Sequence, residues 1–253
     1  MTRFVSRATC AFVLIPILAT LVAATSVDFS RGPWGGGVTL DWFAYAWPPL
    51  APVIGRSLAV AAIVVALNLL LGGPLAWWVA RHPSPLTRLT GYLVNVPLAV
   101  PGIALSVALV GTYPMLRPSG LLLVMGHLVF TLPFTLAALT PALADTELRT
   151  NESVARSLGA GPLRVLRTIT VPACLVAVTQ AVTMVFALSF GEFNVSFFIN
   201  PPATSTAPFA LFDSYSTQRL ESASAQSAIF IAFVVPVLTA VVLARRRAPR
   251  RTP

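Results

Sequence analysis

Asp145-Thr-Glu-Leu-Arg-Thr-Asn-Glu-Ser-Val-Ala-Arg-Ser-Leu-Gly-Ala-Gly-Pro-Leu-Arg-Val-Leu-Arg-Thr-Ile-Thr-Val-Pro172 is the most highly charged stretch in the interior of an otherwise apolar chain. Its residues read as a short helix, a break and a second helix. Thr150 or Asn151 is expected to cap the first helix, with Glu152 complementing its positive end. Val154 and Leu158 stand four apart, on one face with Ala155. Gly159 and Gly161 let the chain leave the helix. Pro162 suits the first position of the next one, which carries Leu163, Leu166 and Ile169 along one side. A short helix with a small apolar face is thus held between two apolar runs. Such a helix docks on another protein, lies on lipid or merely connects, and its arginines do not separate these readings.

The flanking sequence sets the fold class. Of the 253 residues, 56% are hydrophobic and 10% charged, against about 25% charged in an ordinary soluble domain. Mean hydropathy is +0.81. This excludes a soluble globular enzyme, a disordered tail and a secreted disulfide scaffold. The expectation is an all-α integral membrane protein, one transmembrane domain over residues 1–253. Six runs approach the roughly 20 apolar residues that a crossing needs: about 8–27, 57–80, 91–113, 120–143, 172–199 and 227–244. The charged loop, 144–171, falls between the fourth and fifth. The fifth run, about 28 residues or about 42 Å as a helix, is too long for one simple crossing, and a break is expected near Gly191-Glu192. Pro74, Pro97, Pro101, Pro133 and Pro236 predict kinks. Segments 28–56, 114–119 and 200–226 read as external, with Trp34, Trp42 and Trp47 as interface anchors.

Charge sets the orientation. All 17 basic residues are arginine. With the N-terminus inside, Arg3, Arg7, Arg81, Arg88, Arg149, Arg156, Arg164, Arg167, Arg245, Arg246, Arg247, Arg250 and Arg251 are cytoplasmic, and Arg31, Arg56, Arg117 and Arg219 are external. The bias places both termini in the cytoplasm. Residues 1–26 also resemble a signal peptide, but the apolar run is long for one, which favours an uncleaved anchor. The arginines read as topology signals, so no nucleic-acid partner is expected. With no lysine, no P-loop can be written, and any ATP is bound by another chain. Cys10, Cys174, His82 and His127 match no metal or redox spacing, and no nucleophile constellation appears. No catalytic residue and no cofactor is expected.

The loop resembles the EAA signature, E-A-A-x-x-x-G followed by I-x-L-P, of permease subunits of ABC importers. Ala155, Arg156, Ser157, Leu158, Gly159 and Ala160 match it, as do Ile169, Thr170, Val171 and Pro172, with Val171 for leucine. The start departs: Ser153 occupies the glutamate position and Val154 the first alanine, with Glu152 one residue early. Ala187-Leu-Ser-Phe-Gly-Glu-Phe-Asn-Val-Ser196 is similar to the fifth-helix region of the polyamine, ferric iron, phosphonate and thiamine branch. The resemblance implies an inner-membrane permease subunit of a bacterial binding-protein-dependent importer for a small charged solute. It implies as partners ABC ATPase subunits, a second permease, an extracytoplasmic solute-binding protein and membrane lipid. It assigns ATPase coupling to Glu152, Ala155, Arg156, Leu158, Gly159, Ala160 and Pro172.

For the solute pathway the candidates are Ser189, Glu192 and Asn194. Glu192 is an acid within a span, which either lines a polar route or sits at the outer interface. Asn68 and Asn95 either face a partner subunit or make interhelical hydrogen bonds. The competing reading is an ATPase-independent secondary transporter or channel. The internal repeats and midplane acids typical of such carriers are not evident.

Overall fold

The computed structural model describes residues 2–201 and 204–247; Met1 and the tail arginines Arg250 and Arg251 lie outside the described residues. The described chain is helical. α1 (Thr2–Ala24) leads into a tight turn over Phe29–Arg31, then α2 (Asp41–Leu67). A π-helical turn, Asn68–Gly72, joins α2 without a break to α3 (Gly73–Arg81). α4 (Pro85–Ala99), α5 (Gly102–Thr112) and α6 (Leu121–Ala144) follow. α7 (Thr146–Ser157) and α8 (Pro162–Val165) form the charged loop. A second π-helical turn, Leu166–Thr170, leads to α9 (Val171–Ala173) and α10 (Leu175–Phe190). α11 (Asn194–Ile199), α12 (Ala207–Thr217) and α13 (Leu220–Arg247) complete the order.

Several boundaries differ from expectation. The second run is a 41-residue helix, Asp41–Arg81, not one starting near Ser57. Segment 28–56, expected as an external loop, is therefore largely helix, and Trp42 and Trp47 lie on it. The third run is not one span. α4 and α5 meet at 103°, because Pro101 forces the preceding Val100 into extended backbone (φ −96°, ψ 128°). The fifth run bends by 70° between α9 and α10, after Pro172, and breaks again at Gly191–Phe193, as Gly191-Glu192 foretold. Segment 200–226 contains α12. By length and apolarity, three described helices are able to cross a bilayer, or up to five if each bent pair is one span. Six were expected; the described apolar part of α13, Leu220–Pro236, is shorter than a crossing.

Contacts divide the chain into two compact units, one of Met1–Arg56 with Thr204–Val237 and one of Ser57–Ala203 with Leu238–Pro253. In the first, Ala24, Ala46 and Ala225 pack together with Trp42, Phe43 and Ile229 around them. Trp42 Nε1 donates to the Ser26 carbonyl (2.9 Å), and the Arg219 guanidinium lies 5.0 Å from the Trp42 ring. The Glu221 carboxylate accepts from the Phe29 N–H (2.8 Å). Trp42 is thus an internal brace rather than only an interface anchor.

In the second unit α6 is the axis. Two apolar clusters flank it. One joins Ala76, Leu139, Leu143, Leu148 and Ala181. The other joins Val64, Leu122, Leu123, Val185, Val195 and Ile199. Close approach is written into Gly126: a Cβ there would stand 2.9 Å from Val195 and 3.0 Å from Ile199. Polar groups pin the same axis. Asn68 Nδ2 donates to Thr131 Oγ1 and Thr135 Oγ1 donates to Asn68 Oδ1, both at 2.8 Å. His127 bonds Ser189 and Ser196, both at 2.9 Å. Side chains of this kind join helices where lipid supplies no hydrophobic drive.

Gly126→Val should overpack the α6–α11 contact and cost about 1–3 kcal/mol, read as a lowered Tm of the detergent-solubilised protein. An unchanged Tm would count against that contact.

Candidate functional site

The charged loop is built as a clamped helix. Asp145 caps α7, its carboxylate accepting from the Glu147 N–H (3.1 Å). The cap is therefore about one and a half turns earlier than Thr150 or Asn151. Thr150 bonds back within the helix to the Thr146 carbonyl, because an upstream aspartate already satisfies the open N–H groups. The other end closes as expected. Gly159 adopts φ +83°, its N–H bonds to Arg156 O (2.9 Å), and the Ala160 N–H bonds to Ala155 O (3.0 Å). This is the double bond pattern of a left-handed helix stop. Pro162 opens α8, as its fixed φ allows.

The two faces of α7 differ. Leu148 and Glu152, four apart, are buried. Thr150, Asn151, Ser153, Val154, Ser157 and Leu158 are exposed, with Leu158 at 83%. A shallow groove runs along this outer face past Arg149, Ser153 and Leu158. Ala155 and Ala160 are half-buried, and Arg156 and Pro172 exposed.

Glu152 forms the clamp. Its Oε1 accepts from Arg81 Nη2 at 3.0 Å, with the two side chains 4% and 12% exposed, and from the Thr170 hydroxyl at 2.7 Å. Arg149, also on α7, donates in return to the Ala80 carbonyl, closing the open C-terminal end of α3. Arg156 stands 3.9 Å from Glu152 Oε2. Glu152 thus turns inward and holds α7 to the ends of two longer helical runs, while the outward surface comes from its polar and apolar neighbours. Arg81, Arg149 and Thr170 carried no site role in the sequence, the arginines reading as topology charges and Thr170 as part of the motif's end. Arg81 lies 71 positions from Glu152 and reads there only as a charge at a span end. The pairing of Leu148 with Glu152 at helical spacing was the available clue that this face turns inward.

The pathway candidates scatter. Ser189 is buried against His127. Glu192 Oε1 accepts from the Val195 N–H at 2.8 Å, capping α11, and is 8% exposed. Asn194 is exposed at the start of α11, beside Gly102, where a Cβ would stand 2.9 Å from it. Asn68 is interhelical, whereas exposed Asn95 donates to Gly91 O of its own helix. Among the described residues no group of three or more His, Cys, Asp or Glu is placed to hold a metal ion.

In the first unit, exposed Arg31 and Arg219 pair with half-buried Asp28, and Arg219 also pairs with buried Glu221. The Ser30 hydroxyl, followed by the Ser30 N–H, Arg31 and Arg219, holds the Asp28 carboxyl below its ordinary value of 3.8 against a desolvation that raises it.

No protein-family model matches the chain. It is 30% identical over 211 residues to the molybdenum transport system permease protein ModB of Azotobacter vinelandii, covering 76% of this chain and 93% of that protein. It is 30% identical over 209 residues to the putative ABC transporter permease protein ORF1 of Streptomyces antibioticus, covering 81% and 90%. Over 229 residues it is 24% identical to the putative 2-aminoethylphosphonate transport system permease protein PhnV of Salmonella typhimurium, covering 88% and 86%. Its fold matches a chain of the inward-facing MetNI methionine ABC transporter with a TM-score of 0.66 at 17% identity, over 79% of this chain and 96% of that one.

Glu152→Ala strands Arg81 as a buried, unpaired charge and should cost about 3–5 kcal/mol, seen as faster amide exchange across α7. Removing both partners, with Arg81→Leu added, should recover most of the loss. A double variant as damaged as the sum of the two single ones would show that the pair is not coupled.

Proposed function

The chain belongs to the permease subunits of type I ABC importers, and we propose that it forms part of a solute pathway whose opening is driven through α7 by a separate ATPase. The observation that carries this reading is the asymmetry of α7. One face is locked into the membrane helices by Glu152, Arg81 and Thr170, and the other is free, small and mixed in polarity. A push on the free face is delivered through an ion pair, not through a slack connector. Leu158 supplies the apolar contact, Ala155 and Ala160 permit close approach, and Arg156 stands at the edge of the contact, where an acid of the ATPase or a lipid phosphate meets it. Gly159 sets the exit of the chain, and Pro172 starts the helical run that receives the movement. The absence of lysine supports a partner chain as the site of ATP hydrolysis.

On this reading both compact units belong to one transmembrane domain, with both termini and α7 in the cytoplasm of a bacterial inner membrane. A second permease, a copy or a different chain, completes the pathway, and an extracytoplasmic binding protein delivers the solute. The solute is small and charged. An oxyanion is favoured over a polyamine or ferric iron, since relatives are named for molybdenum and for 2-aminoethylphosphonate transport, and molybdenum in neutral water is an oxyanion. Asn194, the exposed member of the Ser189–Glu192–Asn194 group, is the residue through which the pathway is best probed.

Photo-crosslinkers at Ser153, Ser157 and Leu158 should capture a P-loop ATPase, whereas one at buried Leu148 should not. Gly159→Val, a branched residue where φ is positive, should abolish ATP-dependent uptake in proteoliposomes while leaving the protein inserted. Undiminished uptake without any ATPase would overturn this reading in favour of a secondary transporter.

A further inference from the structure

A cavity of about 500 Å³ lies where α3, α6 and the α8–α10 run meet beneath α7. Its volume is in the range of small-molecule sites, but its walls are those of a bilayer. Leu69, Pro74, Leu139 and Val178 line it, with Trp77 among them and Arg156 at the edge. Such walls do not replace the hydration of a polar solute. The polar groups that reach the cavity from Glu152 and Thr170 are already bonded to each other and to Arg81.

The charges at the mouth are unequally held. Glu152 is neutralised by Arg81 at 3.0 Å, both buried. Arg156 makes the longer contact to the same carboxylate, 3.9 Å from Oε2, with its side chain 58% exposed, so its guanidinium is open to a further anion. Arg164 and Arg167, also exposed, follow on the next helical run. A tryptophan, a solvent-exposed guanidinium and an apolar recess together match the layered chemistry of a membrane interface. We propose that this cavity takes an acyl chain of one anionic phospholipid, with the lipid phosphate bound by Arg156 at its mouth. The lipid then fills the space under α7 and stiffens its seat, so that membrane lipid composition adjusts the connection between α7 and the spans. This rests on membrane insertion alone and is independent of what the protein transports.

The test uses the full chain purified with whatever subunits accompany it, in mixed micelles of phosphatidylglycerol and phosphatidylcholine. Native mass spectrometry counts retained lipid, and a phosphatidylglycerol with a diazirine on its acyl chain maps the site. One phosphatidylglycerol should be retained over phosphatidylcholine, and the label should fall on the peptides that hold Leu139 and Val178. Arg156→Gln should lower retention about fivefold, the worth of one basic residue at an anionic surface. Gly73→Leu fills the recess from a position with nothing within 4 Å of a Cβ, on a helix that favours leucine over glycine, and should abolish the label. Arg88→Gln, on exposed α4, should change neither. Equal retention of the two lipids, a label elsewhere, a label that survives Gly73→Leu, or occupation of the recess by a second permease chain would each overturn the proposal.

Discussion

The arrangement at one end of the spans depends on a single buried carboxylate. Glu152 is 3% exposed and bound by Arg81 and Thr170, which come from different parts of the chain. Charge-assisted bonds of this kind are short and directional. Their value is less in net stability than in the penalty for separating them, because either partner alone is a stranded charge. That penalty makes α7 a rigid continuation of the helices on either side of it. The return bond from Arg149 to the Ala80 carbonyl adds a second tether in the opposite direction. A helix held at two points resists rotation as well as translation.

Farther along the same unit the problem is reversed. There the helices are apolar, and lipid is as good a solvent for them as their neighbours are. The contacts that select one packing are accordingly polar or steric. Asn68 reaches Thr131 and Thr135 on α6, and His127 on α6 reaches Ser189 and Ser196. Gly126 and Gly72 let side chains of neighbouring helices approach closely. Asn68 also opens the π-helical turn Asn68–Gly72. Among the described residues the π-turns are this one, which leads into the helix that ends at Arg81, and Leu166–Thr170, which itself holds Thr170. A π-turn departs from the regular hydrogen-bond ladder, so one partner of Glu152 stands on such a departure and the other follows one.

Much was legible in the residues. Membrane class follows from 56% hydrophobic composition, since nothing else solvates so apolar a chain. The α7 stop at Gly159 and the restart at Pro162 are local events, decided within a few residues by which φ values each side chain permits. The break at Gly191 also falls where expected, although Gly191 itself takes an ordinary φ of −91°. Proline pointed to Pro101 as a trouble spot, but its consequence, a 103° turn in place of a kink, was not readable there. Whether neighbouring helices rescue a proline or let the chain turn is a property of the bundle. The cap at Asp145 was missed because several residues in a row are able to cap, and the choice fell to where α6 ends.

The inward turn of Glu152 shows the same division most clearly. By itself the sequence determined that a short amphipathic helix stands between two apolar runs, that its exit needs a glycine, and that an acid lies near its middle. It did not determine which face that acid occupies with respect to the protein. Only the tertiary structure brings Arg81 and Thr170 to it, and likewise Ser189 and Ser196 to His127. The reason is physical: backbone torsions and helix periodicity are local and readable in order along the chain. The partner of a buried polar group is instead set by which helices meet, and those meetings join positions tens of residues apart.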